Sequence, residues 1–238
     1  MKVTAKEIKD SFPYTTELHA HSFPVSPCSE FSPQEVVKRY AKAGVHTLAL
    51  TNHLTPAHIE GELAECAERY LKDYNDAVLA GRELGVNVVL GVEVRFTENH
   101  NDYLVYGVCP EDIIPIMELV PLGIEHFYRT FKNEKNIILQ AHPFRAGMTR
   151  APLSAVDGVE AYNLHPGHNS SVGRAARYAR ENDLIVSGGT DFHHPHHEAM
   201  CLMRTEAPVR DSYEIAALLK ARAAIFDCQG SLILPYAY

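Results

Sequence analysis

The sequence contains no tryptophan, and its five cysteines, Cys28, Cys66, Cys109, Cys201 and Cys228, are scattered, odd in number and without a CxxC pair. That pattern argues against a zinc ribbon or a disulfide framework and for a reducing compartment. Long apolar runs are missing as well. No stretch approaches the roughly 18 residues of a membrane span, and the opening segment MKVTAKEIKD lacks an apolar signal core. The expected location is cytoplasmic, with no membrane partner. Basic residues are in deficit, 22 against 30 acidic for a formal net charge of -8, so no extended nucleic-acid partner is expected, because phosphate backbones demand a basic surface. A small local basic pocket remains compatible with that charge. Also absent are GxSxG, GxxxxGKS or GxxxxGKT, and a GxGxxG opening a helix. Serine hydrolase, P-loop and dinucleotide-binding chemistry therefore have no support.

What is present is an ordinary globular composition: 238 residues, 46% apolar and 22% charged, with 14 Gly and 14 Pro spread along the chain. No repeat or composition break suggests a linker, and one domain over 1–238 is the economical expectation. Short apolar, β-branched runs alternate with helix-like segments, the pattern of βα units around a parallel sheet. The strand candidates are 14–21, 45–53, 87–94, 102–108, 136–143, 157–163, 183–193 and 223–227. A helix is expected over SPQEVVKRYAKAG, with Ser32 at the N-cap, Pro33 first, Glu35 at the capping-box position and Gly44 at the exit. Further helices are expected over 60–84, 111–119, 123–133, 170–182 and 211–221.

The unusual number is 14 histidines. Histidine is the commonest metal ligand and titrates near neutrality, so placement decides what they do. The first strand ends in His19-Ala-His21, the second in His53, the third in Glu93, the fifth in His142 and the seventh in Asp191-Phe192-His193. Alternation along a strand points His19 and His21 the same way, and likewise Asp191 and His193. In a parallel α/β barrel the carboxyl ends of the strands share one mouth, so these residues would converge. The alternative is a set of core histidines satisfied by backbone groups. Against it, so many imidazoles and carboxylates crowded together would be costly to desolvate without cations.

The ordered set ELHAHS, TNH, GVE, AHP and GGTDFH resembles the polymerase and histidinol phosphatase (PHP) family of metal-dependent phosphoesterases, over nearly the whole chain. The resemblance implies a distorted seven-stranded, TIM-like (β/α)7 barrel holding two or three zinc, manganese or iron ions. It also implies that His19, His21, Glu93 and Asp191 hold one ion, that Glu93 bridges to a second bound also by His142, and that His53 and His193 hold the third. Three positions depart from the family pattern. Asn52 stands where an Asp usually precedes the second-strand histidine. Cys28 falls where a loop His or Asp ligand is usual, with a small buried thiol as its alternative reading. Asp102 falls where a fourth-strand histidine usually helps bind the second ion, with His100 and His126 as competitors.

The implied chemistry is hydrolysis of a small phosphomonoester, histidinol-phosphate-like or nucleotide, by metal-bound hydroxide at a di- or trinuclear site. Arg145, in HPFR, is the candidate for gripping a nonbridging oxygen, ahead of Arg95 and Arg150. In the tract HHPHHE, His194, His196 and His197 are either mouth-lining or solvated, and His194 is a candidate acid. His165 and His168 in NLHPGHN reach the same rim, and His168 is a second candidate acid. His46 and His58 are expected to be structural. The alternatives are a nucleotide phosphodiesterase or exonuclease, a noncatalytic metal- or ligand-binding member of the family, and an amidohydrolase acting on a C–N bond. The metal motifs do not carry substrate identity, because specificity lives in the βα loops.

Overall fold

The computed structural model describes residues 4–236. The chain runs through α1 (Ala5–Ser11), β1 (Tyr14–Ala20), α2 (Pro33–Lys42), β2 (Thr47–Leu50), β3 (His53–Leu54), α3 (Leu63–Leu84), β4 (Asn87–Leu90), β5 (Val92–Arg95) and β6 (Asp102–Tyr106). It continues through α4 (Ile113–Leu119), α5 (Gly123–Phe131), β7 (Ile137–Gln140), β8 (Gly158–Asn163), α6 (Val172–Glu181), β9 (Ile185–Gly189), β10 (Cys201–Thr205), α7 (Ser212–Lys220), β11 (Ile225–Cys228) and β12 (Ser231–Ile233).

Local chemistry explains the helix boundaries. The Ser32 side chain accepts from the Glu35 N–H and Pro33 opens α2, a combination that satisfies a free N–H and presets the first turn. The reciprocal half of the expected capping box is not made, because the Glu35 carboxylate turns to Arg39 and Lys38 instead. α3 ends at Gly85, whose φ of 74° caps the helix in the left-handed region. Its buried stripe of Cys66, Ala67, Tyr70, Ala77 and Ala80 contains one charged residue, Asp73.

Among the described residues the strands form two mixed six-stranded sheets, ordered β12-β11-β10-β1-β2-β4 and β3-β5-β6-β7-β8-β9. This differs from the expected all-parallel seven-stranded barrel in two ways. No continuous closed ladder runs through all the strands. The expected second and third strands are each split between the sheets, at Thr51–Asn52 and at Gly91. At Gly91 a Cβ would sit 2.6 Å from the Thr51 side chain, so the two breaks pack against each other. Second, β6 is antiparallel to both β5 and β7. Because its direction is reversed, its first residue, Asp102, lies opposite Arg95 at the carboxyl end of β5. The expected eighth strand is β11, which pairs outside with β10 and β12; β10, β12 and α1 were not expected.

The two sheets nonetheless share one core. Leu18, Ala49, Val89, Leu104, Leu139, Val159 and Val186, from seven strands, belong to a single buried apolar cluster. A parallel bridge between Ala20 and Phe192 brings the segment after β9 against β1. No helix among the described residues is long and apolar enough to cross a membrane.

Candidate metal centre

Glu93, on β5, is the hub. Its Oε1 lies 3.2 Å from His19 Nε2 and 3.3 Å from His142 Nε2. Its Oε2 lies 3.3 Å from His21 Nε2 and 2.8 Å from His53 Nδ1. Asp191 Oδ1 closes the group at 3.5 Å from His19 Nε2 and 3.4 Å from His21 Nε2. The His193 and His53 rings each stack on that of His21 at 4.4 Å. Sets of ligand atoms with metal-binding proximity recur within this group: His19, His21 and Asp191; His21, His53 and His193; and His53, Glu93 and Asp102.

His19 is the one histidine ligand candidate that lies inside a regular strand away from its ends. His21, His142, Asp191 and His193 stand just past strand ends, so simple alternation does not aim the last pair as the sequence reading supposed. His142 and Asp191 instead take positive φ values of 29° and 57°, a costly backbone that the surrounding structure must hold in place. β9 reaches β1 closely enough only because residue 189 is glycine: a Cβ there would sit 2.5 Å from His19 Cβ.

A second layer sets which imidazole nitrogen faces the centre. His19 Nδ1 lies 2.8 Å from Glu160 Oε1, and a carboxylate only accepts, so the proton is on Nδ1. His193 Nδ1 donates to the Asp191 carbonyl at 2.8 Å. Glu160 Oε2 accepts from the His142 N–H and from Asn163 Nδ2. Asn163 also donates to Asp191 Oδ2 at 3.2 Å, which leaves Oδ1 for the centre. Such partners fix ligand tautomer and orientation.

Electrostatics and hydrogen bonding agree on what the cluster lacks. His19 Nε2, His21 Nε2, His53 Nδ1, His142 Nδ1 and both Glu93 oxygens are buried without a hydrogen-bond partner. Unpaired buried polar atoms are expensive, and here all but His142 Nδ1 lie 2.8–3.3 Å from another member of the group. Burial disfavours charge on Glu93, but the neighbouring His19 and His53 outweigh it and hold the carboxyl well below its usual range. Asp191 is likewise buried yet held low, by His19, His21 and His193. In return His19 is held well above its usual value against burial by Glu160, Glu93 and Asp191. His53 is raised to about 10, against burial, by Glu93 and a Cys28 contact. His21, buried between His193 and His53, is pushed well below its usual value. Protons thus stand where divalent cations would do the same charge-balancing, and the donor set of imidazoles and carboxylates suits zinc, manganese or iron.

The remaining expected site residues fall around this centre. The Cys28 thiol faces His193 and His53; burial opposes ionisation, yet those two partners bring it down to about 6. It is an exposed residue at the mouth rather than the buried thiol of the alternative reading. Asp102 is 1% exposed and its carboxylate is forked by Arg95, with Nε to Oδ1 and an Nη to Oδ2 both at 2.7 Å. Asp102 Oδ2 also lies 3.8 Å from His142 Nε2. Arg145 reaches within 3.8 Å of Asp191 Oδ2. His194 pairs with Glu30 at 2.9 Å, while exposed His168 stacks at 4.2 Å on buried His165. His197 meets both His165 and His194 edge-on. His100 and His126 are exposed and outside the groups above. His46 bonds to Thr15, and His58 to Thr55 and the Val25 carbonyl, both away from the centre.

Sequence reasoning missed Glu160, Asn163, Ser26, Asp73 and Glu17. Glu160 had a weak signal, a lone carboxylate in the apolar strand GVEAYN. Glu17 accepts from the His19 and Thr190 N–H groups, the Thr190 hydroxyl and the Tyr40 hydroxyl, and burial still pushes it up to about 7.

No curated protein sequence matches the chain. Among solved structures, PsfC from Pseudomonas syringae is 14% identical with a TM-score of 0.58, covering 84% of this chain and 86% of its own. A two-domain protein from Bacteroides vulgatus, containing a predicted PHP-like metal-dependent phosphoesterase, is 14% identical with a TM-score of 0.59, covering 92% of this chain and 66% of its own. At such identity these likenesses speak for the fold alone. The model of the PHP domain matches residues 17–163, a span that runs from Glu17 through the hub Glu93 to Asn163, and the chain belongs to the PHP domain family.

Proposed function

We propose that the protein is a metal-dependent phosphoesterase that hydrolyses a small phosphomonoester at two or three divalent ions. The observation that carries this reading is the set of unpaired buried imidazole and carboxylate atoms converging on Glu93. His19, His21, Glu93 and Asp191 would hold one ion, and Glu93 with His142 a second, beside Asp102. His53, His193 and Cys28 would hold a third. Bound there, divalent ions lower the pKa of water from about 15.7 towards 7 and neutralise phosphoryl oxygens.

The chain's own groups do the rest. Arg145, 28% exposed at its side chain and lightly held by Asp191 at 3.8 Å, is free to swing a bidentate fork onto a nonbridging oxygen. His194 and His168 line the rim, where a leaving-group alkoxide would accept a proton. His165 Nδ1 accepts from the Gly167 N–H at 2.9 Å, so its Nε2 carries the hydrogen. On this reading the chain works as one PHP-type unit. The split strands β2–β3 and β4–β5 then count as single strands of a distorted seven-membered ring, closed at the Ala20–Phe192 bridge.

The test is elemental analysis of untagged protein purified without chelator, followed by a panel of phosphomonoesters, phosphodiesters, oligonucleotides and amides. Two or three ions per chain with monoester turnover is the expected result. A shortening oligonucleotide ladder would favour the exonuclease alternative, and amide cleavage alone the amidohydrolase. No metal uptake on reconstitution would end the catalytic reading.

A further inference from the structure

His21 has no carboxylate or carbonyl on its outer nitrogen. Its Nδ1 lies 3.2 Å from the Ser26 hydroxyl, a group that can donate or accept. Which it does follows from the atoms beyond. The Ser22 N–H donates at 2.7 Å to Asn52 Oδ1, which identifies that atom as the amide oxygen. Ser26 Oγ lies 3.0 Å from the same oxygen and must donate its one proton there. Ser26 therefore accepts from the His53 N–H at 2.9 Å and from His21 Nδ1–H. The orientation of Asn52 is closed by one buried carboxylate on α3. Asp73 Oδ2 accepts from the Ser22 hydroxyl at 2.8 Å, from the Val25 N–H at 3.2 Å and from Asn52 Nδ2 at 3.4 Å, while Asn52 Nδ2 also donates to Ser22 Oγ at 2.9 Å. Asp73 is 2% exposed, and Ser22, Ser26 and Asn52 are buried with it.

We propose that Asp73 is a positioning residue for the metal centre: as the acceptor-only end of the chain Asp73, Ser22 and Asn52, Ser26, His21, it fixes the Nδ1–H tautomer of His21 and leaves Nε2, beside Glu93 and Asp191, bare for a cation. The pairing also accounts for an amide at 52. An Asp there would place a second carboxylate oxygen 3.4 Å from Asp73 Oδ2, and two buried carboxylates so close could not both stay ionised. Only the metal arm of the inference rests on the function proposed above; the tautomer arm stands whether or not any phosphoester is cleaved.

The experiment compares the wild type with Asp73→Asn, Asn52→Asp and the double variant. The readouts are imidazole 15N NMR of the metal-free protein and titration with Zn2+ or Mn2+ alone. Wild-type His21 should show a pyrrole-type Nδ1 and a pyridine-type Nε2. Each single variant should mix or invert the tautomers and weaken metal binding about 10- to 100-fold. The double variant, which transposes amide and carboxylate, should restore both. Finding wild-type His21 as the Nε2–H tautomer overturns the proposal even where a single variant fails to fold. A double variant no better than either single one overturns it as well. Loss of phosphoesterase activity in the reading above with the tautomer pattern intact would count against that function and not against this network.

Discussion

Glu160 Oε1 lies 2.8 Å from His19 Nδ1, and the same carboxylate accepts the His142 N–H through Oε2. One buried side chain therefore orients two ligand candidates, one in β1 and one just past β7. Glu160→Gln keeps the shape but offers an N–H or a weaker acceptor to His19. It is expected to lower metal affinity about 10- to 100-fold, with a modest loss of stability. Equilibrium dialysis against a metal buffer checks this, and unchanged affinity would remove Glu160 from the centre.

Arg95 and Asp102 make the strongest ion pair at the mouth, a bidentate fork with Asp102 almost fully buried. That fork competes with a cation for the Asp102 oxygens. Arg95→Met should expose the competition. The metal-free protein is expected to lose on the order of 1–3 kcal/mol, because a buried carboxylate is left unpaired while the arginine was itself a third exposed. The metal-loaded protein should lose less and hold the ion beside His142 more tightly. Thermal unfolding with and without Mn2+ distinguishes these. An equal loss in both states would mean that Asp102 serves only its arginine.

Proton linkage gives the centre a defined pH response. Glu93 and Asp191 stay ionised, whereas His19, His53, His142 and His193 are all raised. Cations must displace those protons, so affinity rises with pH and is lost as pH falls. For an ordinary imidazole the dependence would level off near 6.5. Here it should persist towards about 10, where His53 finally gives up its proton. Calorimetry at pH 7 in two buffers of different ionisation enthalpy should show net proton release on metal binding. Binding without release would contradict the charge balance derived above.

Residue 189 tests the geometry without touching a polar group. The Cβ of Gly189→Ala would fall 2.5 Å from His19 Cβ and 3.1 Å from Glu160 Oε1. β9 must then move away from β1, at a cost of about 1–3 kcal/mol for overpacking, and His19 loses its alignment. Metal stoichiometry and thermal stability should fall together. Full stoichiometry with lowered stability would show that His19 tolerates the shift.

That these side chains converge was legible because strand-end spacing survives in sequence: His19 and His21, His53, Glu93, His142, Asp191 and His193 all meet. The start of α2 was legible too, since Ser32 and Pro33 act locally. Strand direction was not. β6 is buried along its whole length, a run that reads the same in either direction, and only its pairing with β5 and β7 shows that it is reversed. β10 was hidden by its half-buried CLMRT pattern next to a histidine-rich loop. α1 buries no residue and shows only its Thr4 and Glu7 capping box. The supporting carboxylates were invisible for a different reason. Glu160 serves a histidine 141 positions away and Asp73 a serine 51 away, and a single sequence carries no sign of either partnership.

Cys28 bears on whether a third ion is held. Its thiol sits against His193 and His53 and is brought down to about 6 by them, despite partial burial. Thiolate is the form that alkylates, so in metal-free protein the rate of iodoacetamide labelling at Cys28 should climb through pH 6 rather than near 9 and be near its plateau at pH 7. Zn2+ should then protect it, because a thiolate donated to zinc no longer attacks. Cys28→Ser is expected to cost one ion per chain and leave the ions at His19, His21, Glu93, Asp191 and His142 in place. Peptide mapping after a pH series of labelling, with and without Zn2+, reads both effects. If labelling at Cys28 is as fast with zinc as without, the thiol lies beside the centre without binding to it, and His53 and His193 are left to hold any third ion alone.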